Sequence, residues 1–180
     1  MVISVQRDIF AAAPFERAEM DALLKTEIEV IVLDQRLKCW GLPCYQTEMA
    51  AAVDLHACLD GALTLEPGTS AQLIPSGIAI HIANPNLAAV IVPRSGLGHK
   101  KGLVLGNLTG VIDADYMGPV MISVWNRNAL GTAPIVIQPG ERIAQMVFIP
   151  IARVSFTTVD EFSNASGRGV AGFGSTGSVA

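Results

Sequence analysis

Apolar and polar positions change rhythm early in this chain and then hold a new one to its end. Residues 14–26, Pro-Phe-Glu-Arg-Ala-Glu-Met-Asp-Ala-Leu-Leu-Lys-Thr, place a proline near the first turn of a predicted short helix. From Glu27 the period becomes two. The run Glu27-Ile-Glu-Val-Ile-Val-Leu33 begins by alternating and is β-branched, which predicts a strand. Further short strands are predicted at 71–74, 77–82, 88–92, 103–105, 120–125, 135–137, 142–149 and 154–158, separated by Gly, Pro, Asn and Asp. Closely spaced strands with no long helix between them predict an all-β fold, a barrel or jelly-roll-like sandwich. The chain divides into an N-terminal extension (1–26), a β-barrel (27–163) and a mobile glycine-rich C-terminal arm (164–180). Met20 offers an alternative start, and residues 1–19 are expected to be dispensable.

Composition narrows the function classes. The 180 residues are 51% hydrophobic but only 6% aromatic, so Val, Ile, Leu and Ala build the core. The net charge of −4 argues against a general nucleic-acid or membrane-surface binder. A phosphate ligand would have to be held by a few local arginines. Three cysteines, Cys39, Cys44 and Cys58, without paired or zinc-site spacing point to reduced thiols and a cytoplasmic setting. His56, His81 and His99 are scattered and suit structural or surface roles better than ligation. Arg7 and Asp8 interrupt the apolar start, so no signal peptide is expected, and no stretch is long enough to span a membrane.

Five segments carry candidate chemistry. In 51–55, Asp54 sits in an apolar setting and suits either an ion pair with an arginine or waters around a divalent cation. In Pro93-Arg94-Ser95-Gly96-Leu97-Gly98, an arginine, a hydroxyl and an open backbone form a phosphate-type turn, or simply a polar one. The run from Gly106 to Gly118 holds Asn107, Asp113, Asp115 and Tyr116 between glycines. Asn107 offers the donor and acceptor that a pyrimidine edge needs, and a carboxylate there can orient and deprotonate a water. Equally, such aspartates can serve a turn. In 139–147, alternation would put Arg142 and Ala144 on one face and Ile143 and Gln145 on the other. The segment Arg168-Gly-Val-Ala-Gly-Phe173-Gly174-Ser175-Thr176-Gly177 gathers arginine, hydroxyls and glycine N–H groups suited to phosphate, plus a ring that can lie on a base.

In this order the five segments resemble the trimeric dUTPases, in particular the bacterial enzymes. The likeness spans roughly residues 27–177. It implies a jelly-roll-like barrel assembled as a homotrimer, with three sites to which all chains contribute. The implied reaction is hydrolysis of dUTP to dUMP and pyrophosphate, with Mg2+. The implied catalytic residue is Asp113, aiming a water at the α-phosphorus. Tyr116 would pack on the deoxyribose, and Asn107 with backbone near Val111, Ile112 and Met121 would read uracil. Arg94, Ser95, Gly96 and Gln145 would hold phosphates, and Asp54 would order waters around Mg2+. Arg168, Ser175 and Thr176, with the Gly174 backbone, would reach the γ-phosphate while Phe173 stacks on uracil. Ala52 stands where the family usually has glycine, so strain is expected there if φ is positive. A dCTP deaminase of the same superfamily is the nearest alternative, but no glutamate lies between Gly106 and Gly118. A non-catalytic nucleotide-binding regulator is the alternative from another class.

Overall fold

The computed structural model of the chain describes residues 26–163 and Gly169. The expected N-terminal helix and the glycine-rich arm lie outside them. Ten strands form antiparallel sheets: β1 (Glu29–Val32), β2 (Val53–His56), β3 (Leu63–Leu65), β4 (Gln72–His81), β5 (Leu87–Pro93), β6 (Leu103–Leu105), β7 (Gly110–Ile112), β8 (Pro119–Asn126), β9 (Ile135–Ile137) and β10 (Arg142–Pro150). One sheet has the order β1-β4-β8-β6 and a second β2-β10-β5-β7, with β3 and β9 as a separate pair. The all-β, jelly-roll-like architecture is as the strand pattern predicts.

The core is one cluster fed from every sheet. Ile74, Ile78 and Ile80 of β4, Val120, Ile122 and Val124 of β8, and Leu103 and Leu105 of β6 meet Leu55 of β2, Ile91 of β5 and Ile143 and Met146 of β10. On β8 the alternation is regular: Val120, Ile122, Val124 and Asn126 point inward. Asn126 is buried, so its amide needs a partner; its Nδ2 donates to the Leu65 carbonyl at 2.9 Å. That bond ties β8 to β3. Ser76 similarly donates to the Val120 carbonyl at 2.7 Å where β4 bulges away from β8.

Between β1 and β2 the chain makes a short helix, α1 (Leu37–Trp40). Asp34 anchors its start. The Arg36 guanidinium grips the Asp34 carboxylate through Nε at 3.0 Å and Nη2 at 2.6 Å, and Nη1 donates to the Leu59 carbonyl. This pairing holds the Asp34 carboxyl down at about 2.

Two strand expectations need correction. The runs at 71–74 and 77–82 are one strand, β4, because the bulge near Gly77 (φ 78°) bends the ladder without ending it. Residues 154–158 form no strand. They alternate as a strand would, but among the described residues no edge pairs with them, and Val154 and Phe156 are exposed at 71% and 95%.

Candidate active site

The register of β10 against β2 sets the site. Arg142 lies opposite His56, Ala144 opposite Leu55 and Gln145 opposite Asp54. Four residues of β10 thus span three of β2, so Ile143 is the extra residue of a bulge. Strict alternation would separate Arg142 from Gln145. The bulge turns Ile143 and Ala144 both into the core and returns Arg142 and Gln145 to the same outer face. On β2, Asp54 and His56 are two apart and share that face.

A cavity of about 650 Å³ opens there, lined by Asp54, Arg94, Ser95, Gly96, Arg142 and Gln145 among others. Lys100 and Lys101 also reach it, from a π-helical turn (Leu97–Lys101) that follows β5. Asp54 is its one lining carboxylate, and both its oxygens are engaged: Arg94 Nε sits 2.9 Å from Oδ1, and Arg142 Nη1 sits 3.0 Å from Oδ2. Arg94 Nη1 also donates to the Arg142 carbonyl at 2.9 Å. Gln145 Nε2 donates to the Pro93 carbonyl at 3.0 Å. The arginine pairing expected as one role of Asp54 is thus present. Lys101 is paired with Glu141 at 3.6 Å, so two arginines and two lysines against the Asp54 and Glu141 carboxylates still leave the cavity cationic, as an anion site requires.

An aromatic support stands beside His56 on this face. Trp40 of α1 faces the His56 ring at 6.5 Å between centroids, and the Arg36 guanidinium stands 5.1 Å from the indole centre. The turn into β10 runs directly over the indole. Gly140 has φ 79°, and a Cβ there would come 2.8 Å from Trp40 Cε2, so only glycine fits. His56 is buried with Nδ1 unpartnered. Burial, then the nearby Arg142 charge, pushes its imidazole below the ordinary value.

A second, smaller cavity of about 180 Å³ is lined by Val111, Ile112, Asp113, Tyr116, Pro119 and Met121. Strand β7 pairs with β5, and the turn after it is closed by the Tyr116 N–H donating to the Asp113 carbonyl at 3.2 Å. That turn presents Asp113, exposed, to this cavity and to a neighbouring one of about 590 Å³ lined by His81, Asp115 and Arg153. The Tyr116 hydroxyl donates to the Pro119 carbonyl at 3.0 Å, which fixes the ring. Asn107 is in the exposed turn between β6 and β7, beside Gly110. The residue after it, Leu108, has φ 63°, a conformation costly for leucine by roughly 1 kcal/mol. Such outliers gather where a backbone is held for function.

Most of the expected site residues therefore fall into two groups, while Asn107 lines neither cavity and stands in the turn between β6 and β7. Asp54, Arg94, Ser95, Gly96 and Gln145 share one cavity; Val111, Ile112, Asp113, Tyr116 and Met121 share another. Arg168, Phe173, Gly174, Ser175 and Thr176 lie outside the described residues. Arg142, Lys100 and Lys101 were not among the expected site residues; the Lys-Lys pair after the 93–98 turn was the available signal. Ala52 does not have positive φ, since Ala83 and Leu108 are the non-glycine residues that do among those described, so alanine is unstrained there. Among the described residues no group of three His, Cys, Asp or Glu side chains is placed to hold a metal directly, and no helix is long and apolar enough to cross a membrane.

Comparison with known proteins places these features. The family model described as dUTPase matches residues 38–177. The deoxyuridine 5'-triphosphate nucleotidohydrolase of Methylibium petroleiphilum is 59% identical over 152 residues, 84% of this chain and 98% of that protein. That of Klebsiella pneumoniae is 55% identical over 152 residues, covering 84% and 97%. Among solved structures, a dUTPase of Staphylococcus bacteriophage 80alpha with dUpNHpp matches with a TM-score of 0.69 and 26% identity, over 84% of this chain and 98% of that one. The barrel, the ordered motifs and these likenesses agree: this chain belongs to the dUTPase family.

Proposed function

We propose that this chain hydrolyses dUTP to dUMP and pyrophosphate, which supplies dUMP for thymidylate synthesis and keeps uracil out of DNA. The observation that carries the reading is the division of labour between the two cavities. One is cationic and phosphate-shaped; the other sets Asp113 and Tyr116 beside open backbone at Val111 and Ile112. Among the described residues the first cavity has no aromatic ring to take a base or sugar, and the second has no cation to take phosphates. Copies of the chain that bring one's phosphate half to another's nucleoside half would join the two, and the likeness to the trimeric dUTPases makes the working form a homotrimer. The exposed apolar side chains of Val154, Phe156 and Phe162 support such burial between copies.

The Asp113 carboxylate accepts a proton from a water that attacks the α-phosphorus. The new P–O bond forms as the bond to the bridging oxygen breaks, and pyrophosphate leaves. Tyr116, held by Pro119, packs on the sugar and leaves no room for a 2′-hydroxyl. Asn107 with the Val111, Ile112 and Met121 backbone region reads uracil. Arg94, Ser95, Gly96 and Gln145 hold the phosphates. Arg168, Ser175, Thr176 and Gly174 close over the γ-phosphate, and Phe173 covers the base.

Mg2+ fits as an ion that arrives on the triphosphate and keeps its waters. The described residues offer no direct cage, yet each Asp54 oxygen retains a second lone pair that can accept from such waters. When bound, the ion neutralises phosphate charge. Cys39, Cys44 and Cys58 are all unpaired, which supports a cytoplasmic protein.

The test is pyrophosphate release from dUTP, dTTP, dCTP and UTP, with light scattering on the same sample. A strong preference for dUTP by a trimer is expected. Equal rates on all four, or ammonia release from dCTP, would overturn the reading.

A further inference from the structure

Asp54 holds its two guanidinium groups in a way that leaves both armed. An arginine has five N–H donors in a rigid fork. Arg94 commits Nε to Asp54 Oδ1 and one Nη1 hydrogen to the Arg142 carbonyl. Among the described residues Arg142 commits only Nη1, to Asp54 Oδ2. The outer edges of both forks therefore remain for a ligand, and both residues line the same cavity. The Asp54 side chain is only 10% exposed while that of Arg142 is 43% exposed, so the carboxylate is the fixed point and the guanidinium is its mobile arm. The β10 bulge is what puts Arg142 there: with strict alternation it would stand on the face opposite Gln145.

We propose that Arg142 is a second phosphate-binding cation of this cavity, and that Asp54 is the positioning residue that aims Arg142 and Arg94 together at adjacent phosphates. The inference rests on reading this cavity as the triphosphate half of the site. It makes two claims beyond that reading. Arg142 contributes to phosphate binding as Arg94 does, and the first task of Asp54 is to orient these two cations.

The experiment compares full-length wild type with Arg142→Gln, Arg142→Lys, Asp54→Asn and the Arg142→Gln/Asp54→Asn double variant, each checked for folding and assembly by circular dichroism and light scattering. The readouts are kcat and KM for dUTP, calorimetric Kd for dUpNHpp with Mg2+ and for dUMP, and the Mg2+ concentration that half-saturates analogue binding. Arg142→Gln should weaken dUpNHpp by about tenfold or more and raise KM accordingly, since bonds to charged groups are worth that much. It should leave dUMP, which lacks the outer phosphates, within about twofold. Arg142→Lys keeps charge but loses the fork, and should weaken the analogue by about threefold or more. Asp54→Asn should show the same phenotype, and the double variant should be much weaker in effect than the product of the singles. Half-saturating Mg2+ should stay within about twofold in the Arg142 variants.

Analogue binding by Arg142→Gln or Arg142→Lys at wild-type strength would overturn the proposal. So would fully multiplicative single effects, or an Asp54→Asn defect cured by raising Mg2+. Failure of wild type itself to hydrolyse dUTP would instead strike the underlying reading, which keeps the two outcomes apart.

Discussion

Replacing Gly118 with alanine should damage sugar selection while leaving the fold intact. A Cβ built at Gly118 lies 2.5 Å from the Tyr116 Oη and 2.7 Å from its Cζ. Comfortable non-bonded separation begins near 3.5 Å, so the phenol must move by about 1 Å. The ring can do so, because it is 43% exposed and its tip is not walled in by the core. It then gives up the 3.0 Å bond to the Pro119 carbonyl, worth about 0.5–1.5 kcal/mol. The backbone accepts alanine, since Gly118 is not among the residues with positive φ. Alanine also stiffens the unfolded chain by about 0.4–1 kcal/mol, which offsets much of that loss. Net stability should therefore change by less than about 1 kcal/mol, a few degrees in melting temperature. Selectivity should suffer more, because displacement by 1 Å can cost up to about a hundredfold in rate. We expect the ratio of kcat/KM for dUTP over UTP to fall by about 10- to 100-fold. Discrimination against dCTP should be unchanged, since base recognition comes from other groups. Tyr116→Phe, which loses only the hydroxyl bond, should fall between Gly118→Ala and wild type. An unchanged dUTP/UTP ratio in a folded Gly118→Ala protein would refute the reasoning.

Three further outcomes can be checked directly. Asp113→Asn should keep affinity for dUpNHpp within a fewfold and lose at least about 10²-fold in turnover; equal turnover would remove the carboxylate from the chemistry. In the native protein Cys39 and Cys44, both exposed, should react readily with a thiol reagent. Cys58, whose thiol burial pushes up to about 11, should wait for denaturant, and a fast third thiol would contradict its burial. His56 titrates below its unfolded value of 6.5, so the unfolded chain binds the extra proton first as pH falls. Its contribution to stability is complete above that value and is lost as pH drops toward the folded pKa. Chemical denaturation of wild type and His56→Gln across pH 5–7 should show a steeper decline for wild type; parallel curves would exclude the effect.

What could be read from the chain alone was governed by how much each element depends on distant partners. Strands with regular alternation, such as β8, or a compact apolar run, such as β5, were legible because burial of one face dictates them. Strand β2 was seen as a motif but not as a strand: its four residues are all buried, so it has no alternation to detect. The stretch at 154–158 has the pattern of a strand but no partner strand among the described residues. The chemistry of Arg94, Gln145 and Asp113 was visible in residue type and order. The place of Arg142 was not, because a bulge is an insertion into a ladder, and its presence depends on how β10 pairs with β2.

Trp40 has a use of its own. Its indole lies among the Arg36 guanidinium, the His56 imidazole and the glycine turn that launches β10. Emission from such an indole is sensitive to a neighbouring imidazole gaining a proton and to any shift of the strand above it. With Trp125, the second tryptophan, replaced by phenylalanine, the enzyme would carry a native optical reporter beside β2 and the turn into β10. Ligand capture and acid titration can both be followed by fluorescence, with no dye attached.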